Sequence, residues 1–196
     1  MPNIIDAVVT KLLFKKPQEE VYSNLDRMFS KKKNSWNYSK SEYELRRHKK
    51  IIEFVKQIPH KTILEVGCAE GHLAKKLTEI SAHVTAIDVS PIAVKRAQIN
   101  APKAKVKLAK LEDFKIPKEK FDVIVCADVL CYLKDKEAVV TRIEELGNYL
   151  VMSNGYVFPF LVEPYFFRFK LLKRSLVANL KEGRTKFASI TAWKLS

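Results

Sequence analysis

Glu65-Val66-Gly67-Cys68-Ala69-Glu70-Gly71 is the stretch that decides the fold. The β-rich run Thr62–Val66 leads into it and a helical apolar pattern follows it to Ile80, so its glycines sit where a strand turns into a helix. Glycine there lets the chain turn tightly and lets a ligand approach the main chain. The same rhythm continues downstream. His83–Asp88 reads as a second strand, Pro91–Asn100 as a helix and Val106–Ala109 as a third strand. Phe121–Ala127 is a strongly apolar fourth strand, Lys136–Leu146 a helix and Tyr149–Ser153 a fifth strand. Strands alternating with helices at this spacing imply right-handed crossovers and a parallel sheet covered on both faces. The end breaks the rhythm: a short helix over Glu163–Leu172 precedes two β-rich runs, Ser175–Leu180 and Phe187–Leu195, around Lys181-Glu182-Gly183-Arg184. That is a hairpin pattern, so the sheet should finish with an antiparallel pair.

Upstream of the turn the pattern is helical. Ile4, Ile5, Val8, Val9, Leu12 and Leu13 recur at helical spacing over residues 3–14, ahead of Pro17, and this amphipathic helix packs on the body of the domain or lies on a membrane surface. Residues 18–29 read as a second short helix and 30–40 as a polar, basic loop carrying Trp36 and Tyr38. Ser41, with Glu44 three residues on, has the capping-box pattern for a third helix running to about Gln57, stopped by Pro59. A length of 196 residues at 47% apolar composition suits one domain with a full core. Its expected parts are a helical cap (1–60), a cofactor-binding core (61–153) and a substrate-side segment with the terminal hairpin (154–196).

The glycine turn distinguishes between ligands. A dinucleotide fingerprint would need a small residue at position 72, which is His72, and a phosphate loop would need Gly-Lys-Ser/Thr at its end. Charge decides more firmly: a pyrophosphate here would face the carboxylates of Glu65 and Glu70. S-adenosylmethionine carries no phosphate, and its cationic sulfonium and ammonium suit those carboxylates. Asp88, 23 residues after Glu65 at the end of the second strand, is placed to accept both ribose hydroxyls, with Val89 beside it. The competing reading of Asp88 is a cap for the helix at Pro91, with Ser90 as its rival.

With Glu65-x-Gly67-x-Ala69-x-Gly71, Asp88 closing Val84-Thr85-Ala86-Ile87, and Phe121-Asp122-Val123-Ile124-Val125 in view, the chain resembles the class I S-adenosylmethionine-dependent methyltransferases. The resemblance implies an α/β, Rossmann-like fold: a seven-stranded, mostly parallel sheet with an antiparallel terminal hairpin and helices on both faces. It covers residues 60–155 most fully. Ala69 departs from the family pattern, which has Gly there. A finer resemblance, to the nodulation-protein-S group, lies in Trp36-Asn37-Tyr38, Ser41-Glu42-Tyr43-Glu44, Arg47 and Ala127-Asp128-Val129-Leu130-Cys131-Tyr132-Leu133. Those enzymes methylate an amino group on a chitooligosaccharide.

The resemblance implies roles for single residues. The turn residues Gly67, Cys68, Ala69 and Gly71 belong to the cofactor site. After the third strand, Glu112 would accept from the adenine amine, with Asp113 as its rival, and Leu111 would cover the ring. Ala127 and Asp128 would line the methionine end, with Asp128 and Tyr132 turned toward the substrate. Tyr43 and Arg47 are i and i+4 and share a helix face. Arg47 is the candidate for the methionine carboxylate because its planar fork suits a bidentate contact; the alternative is a surface arginine paired with Glu44 or Glu42. Tyr43, Trp36 and Tyr38 would close over the site or pack in the core. Methyl transfer from a sulfonium is a direct displacement, so the protein supplies alignment and desolvation. An amine acceptor must be neutral at attack, with Asp128, Tyr132 or His48 as the proton acceptor. Asp122 reads as structural.

Composition bounds the partners. Cys68, Cys126 and Cys131 have neither disulfide nor zinc spacing, which argues against a disulfide scaffold or a structural zinc site and suits a reducing cytoplasm; no metal is expected. No run of apolar residues is long enough to span a membrane, and the start lacks the basic region of a secretory signal. The net charge of +14 divides as +7 over residues 1–61, +1 over 62–153 and +6 over 154–196. Basic flanks around a neutral middle suit a solvated lysine-rich surface or an anionic partner. Residues 156–169 hold seven of the chain's 20 aromatics, which suit core packing, a substrate wall, a dimer contact, or a basic-aromatic surface for lipid or single-stranded nucleic acid. The sequence therefore points to methyl transfer onto an N or O nucleophile of a small molecule or sugar, by a monomer or homodimer. An RNA methyltransferase using the basic flanks and a non-catalytic binding module are the alternatives. No Asn-Pro-Pro-Tyr-type base-methylation motif follows the fourth strand.

Overall fold

The computed structural model describes residues 17–34, 37–38, 40–155, 158–179 and 186–195. The expected helix over 3–14, Trp36 and the hairpin turn at 181–184 lie outside them. Two helices come first, α1 (Gln18–Lys31) and α2 (Glu42–Lys56). Ser41 caps α2, its hydroxyl accepting from the Glu44 amide at 3.4 Å as the capping pattern requires. The alternating core is β1 (Thr62–Val66), α3 (His72–Leu77), β2 (His83–Asp88), α4 (Pro91–Asn100), β3 (Lys105–Leu108) and β4 (Phe121–Ala127). It continues through a 3-10 turn (Leu130–Tyr132), α5 (Lys136–Leu146) and β5 (Gly147–Gly155). The last part is α6 (Phe158–Val162), a second 3-10 turn (Glu163–Phe166), β6 (Lys170–Asn179) and β7 (Lys186–Lys194).

Seven strands form one sheet in the order β3-β2-β1-β4-β5-β7-β6. The first five are parallel, and β7 runs antiparallel to both β5 and β6. Strand order reverses at β1, which opens a crevice beyond the carboxyl ends of β1 and β4. Residues on β1, β4 and β5 are buried on both faces, which explains why these strands read as apolar runs. One face packs Leu64, Ile124 and Leu150 against Val139, Val140 and Ile143 of α5. The other packs Ile63, Val123 and Val151 against Ile51, Phe54 and Val55 of α2 and Leu73 and Leu77 of α3. Asp122 is structural as expected: its Oδ2 accepts from the amides of Lys61 and Thr62 at 2.7 and 2.9 Å, tying β4 to the start of β1.

The helix expected over Glu163–Leu172 is a correction. Glu163–Phe166 is a single 3-10 turn, and Lys170–Leu172 already belong to β6. Pro164 has no amide hydrogen to continue a helical ladder, and the β7 edge at Trp193 and Lys194 offers a strand partner instead. The helix expected to reach Ile80 ends at Leu77, and β5 extends two residues beyond each end of its expected range. Among the described residues no helix is long and apolar enough to cross a membrane.

Candidate functional site

The glycine turn takes the shape its residues dictate. Gly67 and Gly71 have φ of +71° and +82°. A Cβ on Gly67 would lie 2.5 Å from Val129 Cγ2, and one on Gly71 2.9 Å from Ala97 Cα, so both closeness and conformation require glycine. Ala69, at φ 48°, is held in the left-handed region at a cost of about 1–2 kcal/mol. Its amide offsets part of that cost by donating to Asp88 Oδ2 at 2.8 Å. Asp88 Oδ1 takes the Ser90 amide at 2.9 Å, while Ser90 itself caps α4 through the Ala93 amide. Burial pushes the Asp88 carboxyl up, against the pull of these amide donors. Asp88 thus braces the turn and keeps about two of its four acceptor positions for a ligand.

A cleft of about 380 Å³ lies over this turn, at the carboxyl ends of β1, β2 and β4. Gly67, Ala69, Asp88, Val89, Leu111 and Ala127 line its floor and one wall. Arg47, Tyr43, Asp128 and Tyr132 line the other. Four sequence-expected residues sit off the cleft: Glu65, Cys68, Gly71 and Glu112. Glu65 and Cys68 lie beneath the turn, in a void of about 10 Å³ shared with His48 and His72 and adjoining the cleft at Gly67, Ala69 and Ala127. Gly71 packs against α4 instead.

Glu65 is the unusual group. It is 2% exposed, and its Oε2 has no hydrogen-bond partner among the described residues. Burial, and then the Asp88 charge, push its carboxyl well above the ordinary range. His48 faces the same void with an unpartnered Nδ1; burial and then Arg47 push its pKa down to about 2, so its ring is neutral. Tyr132 is pushed up by burial, which makes its phenol a hydrogen-bond donor rather than a base.

On the opposite wall Arg47, 1% exposed, is enclosed by carboxylates. Its Nη1 donates to Asp128 Oδ2 at 2.6 Å and to Ser153 Oγ at 3.2 Å, and its Nη2 and Nε donate to Glu44 Oε2 at 2.6 and 2.9 Å. Burial alone would favour the neutral guanidine, but Asp128 and Glu44 outweigh it and hold the pKa above its ordinary value. Arg47 therefore corrects two expectations. It is no surface residue, and the fork expected to grip a methionine carboxylate is filled by the protein's own carboxylates. Asp128, at φ 56°, is held from the other side by the Gly155 amide at 2.8 Å.

Glu112 is a further correction. It is exposed, off the cleft, and its Oε1 accepts from the Tyr22 hydroxyl at 2.5 Å. The loop after β3 turns its polar side chains outward and leaves Ala109 and Leu111 on the cleft. Trp36 lies outside the described residues. The roof was not foreseen: Tyr22, Leu25 and Phe29 of α1 close the cleft from above. Their i, i+3, i+7 spacing is a helical apolar stripe and is the signal for it. Polar ties hold the roof to three strand ends: Asp26 to Ser90, Tyr22 to Glu112, and Gln18 to both Tyr132 O and Lys134 N.

Comparison with known proteins follows this geometry. The family model of Nodulation protein S (NodS) matches residues 17–161. Nodulation protein S of Sinorhizobium fredii is 32% identical over 127 residues, 63% of this chain and 58% of the relative, so the chain spans less than two thirds of that relative's length. A ubiquinone biosynthesis O-methyltransferase of Hydrogenovibrio crunogenus is 30% identical over 115 residues, 55% of this chain and 46% of that protein. The crystal structure of the N-methyltransferase NodS from Bradyrhizobium japonicum, in complex with S-adenosyl-L-homocysteine, has a TM-score of 0.77 at 20% identity, over 89% of this chain and 97% of that one. That likeness is one of fold. On the span of the family match, the chain belongs to the Nodulation protein S (NodS) family.

Proposed function

We propose that this protein is an S-adenosylmethionine-dependent methyltransferase whose acceptor is an amino group on a small molecule or sugar. The observation that carries the reading is the Glu65 carboxyl, buried and unpartnered beside the cleft. A buried carboxylate is costly unless a cation or donor meets it, and the ammonium of the cofactor's methionine end is such a group. Asp88 would take the ribose hydroxyls with its remaining acceptor positions, and Leu111 and Val89 would pack on the adenine. The relatives support the reading, being named as Nodulation protein S and as an O-methyltransferase. The solved N-methyltransferase of the same fold holds S-adenosyl-L-homocysteine. When bound, S-adenosylmethionine supplies an electrophilic methyl on a sulfonium.

The chain's own residues do the rest. Asp128, 30% exposed at its side chain, presents a carboxylate to the acceptor side of the cleft. An ammonium-bearing acceptor is drawn to it, and Asp128 then holds the proton that the amine must lose to become a nucleophile. Arg47 and the Gly155 amide fix that carboxylate in place, and the α1 roof excludes water. The three cysteines, all free and buried, support a reducing compartment, the cytoplasm.

The direct test supplies S-adenosylmethionine with glucosamine oligomers and with their N-acetylated forms, and reads methylated product by mass spectrometry. Methylation of the free-amine oligomers alone is expected; methylation of hydroxyls in both, or of neither, contradicts the amine reading. A second expectation concerns pH. Because the folded Glu65 carboxyl titrates above its unfolded value, the empty protein loses stability as pH rises from the ordinary carboxyl value up through the raised one. A bound ammonium favours the ionised form. Cofactor affinity should therefore rise by up to about tenfold per pH unit below the raised Glu65 pKa. Glu65→Gln should flatten that slope in titrations at a series of pH values.

A further inference from the structure

The cofactor proposed above carries a carboxylate beside its ammonium, and that carboxylate needs a partner in the cleft. Among the described residues lining the cleft, Arg47 alone is basic, against the carboxylates of Glu44, Asp88 and Asp128. Amides of the glycine turn are committed to the protein itself. Those of Gly67 and Cys68 both donate to the Ile87 carbonyl, at 2.8 and 3.0 Å, and that of Gly71 donates to the Cys68 carbonyl at 2.9 Å. The Ala69 amide is held by Asp88. An incoming carboxylate is therefore left with Arg47, which is 1% exposed and has both edges of its guanidinium occupied.

The two edges are filled differently. Nη1 serves Asp128 and Ser153, and the Gly155 amide clamps Asp128 from its other side at 2.8 Å. Nε and Nη2 converge on one oxygen, Glu44 Oε2, at 2.9 and 2.6 Å. A guanidinium edge fits a carboxylate best when its two N–H groups meet two oxygens in parallel, a pose open to an untethered ligand. Glu44, three residues earlier on the same helix, sets one oxygen against both donors instead. Its side chain keeps 13% of its surface exposed, so an entering ligand meets Glu44 ahead of the guanidinium. Glu44 also lies in the first turn of α2, where the amides at the helix start favour a carboxylate. Leaving Arg47 therefore does not strand it as an uncompensated charge.

We infer that Glu44 is a built-in stand-in for the cofactor's carboxylate: it fills the Nε/Nη2 edge of Arg47 in the empty cleft and yields that edge on binding, while Asp128 keeps Nη1. The inference rests on the S-adenosylmethionine reading and adds to it a residue that opposes binding. One carboxylate replaces another at the guanidinium, so Arg47 stays compensated with the cleft empty or filled. A ligand without a carboxylate cannot make the exchange, which makes Glu44 a specificity residue for the amino-acid end of the cofactor.

Calorimetric titration of S-adenosylhomocysteine and of decarboxylated S-adenosylmethionine into the wild type and Glu44→Gln tests it. The neutral amide competes poorly for the fork, so Glu44→Gln should bind S-adenosylhomocysteine roughly tenfold more tightly than the wild type. Decarboxylated S-adenosylmethionine, which keeps the ammonium, should gain nothing. A merely structural Glu44 predicts the opposite sign, with weaker binding of both compounds. Equal or weaker binding of S-adenosylhomocysteine by the variant, or an equal gain for the decarboxylated compound, overturns the inference and leaves the cofactor reading standing. No binding of S-adenosylhomocysteine by either protein removes that reading and the inference with it. A second measurement needs no variant. In a crystal structure of the wild-type complex with S-adenosylhomocysteine, Glu44 should lie beyond salt-bridge distance of Arg47, with the Asp128 contact retained. A complex in which Arg47 keeps both bonds to Glu44 overturns the inference, whether or not Glu44→Gln folds.

Discussion

Arg47→Met should destabilise the protein by about 3 kcal/mol and abolish methyl transfer. The guanidinium sits inside a ring of Glu44, Asp128 and Ser153, at distances of 2.6 to 3.2 Å. Removing one partner of a buried ion pair costs about 3–5 kcal/mol because the remaining charges lose their compensation. The low end applies because Asp128 keeps 30% of its side chain exposed to solvent. Arg47→Lys should restore charge without the planar fork and recover only part of the loss. Combining Arg47→Met with Glu44→Gln and Asp128→Asn should recover most of the stability in urea unfolding and none of the activity. Recovery of activity as well would mean that the carboxylate at Asp128 plays no part in handling the acceptor.

Asp88→Ala should weaken cofactor binding by about 10- to 100-fold, the equivalent of one or two charge-assisted hydrogen bonds. Two losses combine in this variant. In the proposed complex the ribose hydroxyls would lose their acceptor, and the amides of Ala69 and Ser90, bonded at 2.8 and 2.9 Å, lose theirs. The second loss falls on a turn that already carries the strained Ala69, so the fold should also lose about 1–3 kcal/mol. Asp88→Asn separates the two effects: one amide oxygen can still brace the turn, while an added NH₂ donor disfavours the ribose. Thermal melts and binding titrations on the same preparations read the two losses independently.

The frame of the fold was legible because its strands are buried on both faces. Phe121–Ala127 and Thr62–Val66 leave their mark as apolar runs, and Gly67 and Gly71 mark the switch from strand to helix. Ser41 and Ser90 announced two helix starts through local hydrogen bonds that span only three residues. What escaped depends on distant partners. Arg47 meets Asp128 and Ser153 from 81 and 106 residues away, and no helical spacing encodes those meetings. Glu112 turned outward because Tyr22, 90 residues away, offers it a hydroxyl, a contact that a loop register cannot reveal. The segment after Glu163 misled because its aromatics suit either helix or strand until the edge of β7 claims Lys170–Leu172.

The central claim, that the cleft over Gly67–Gly71 is a site for S-adenosylmethionine, is met most directly by isothermal titration calorimetry. S-adenosylmethionine and S-adenosylhomocysteine would each be titrated into the purified wild-type chain. One site per chain with a dissociation constant on the order of micromolar is the predicted result. No detectable binding of either compound by folded protein would contradict the account.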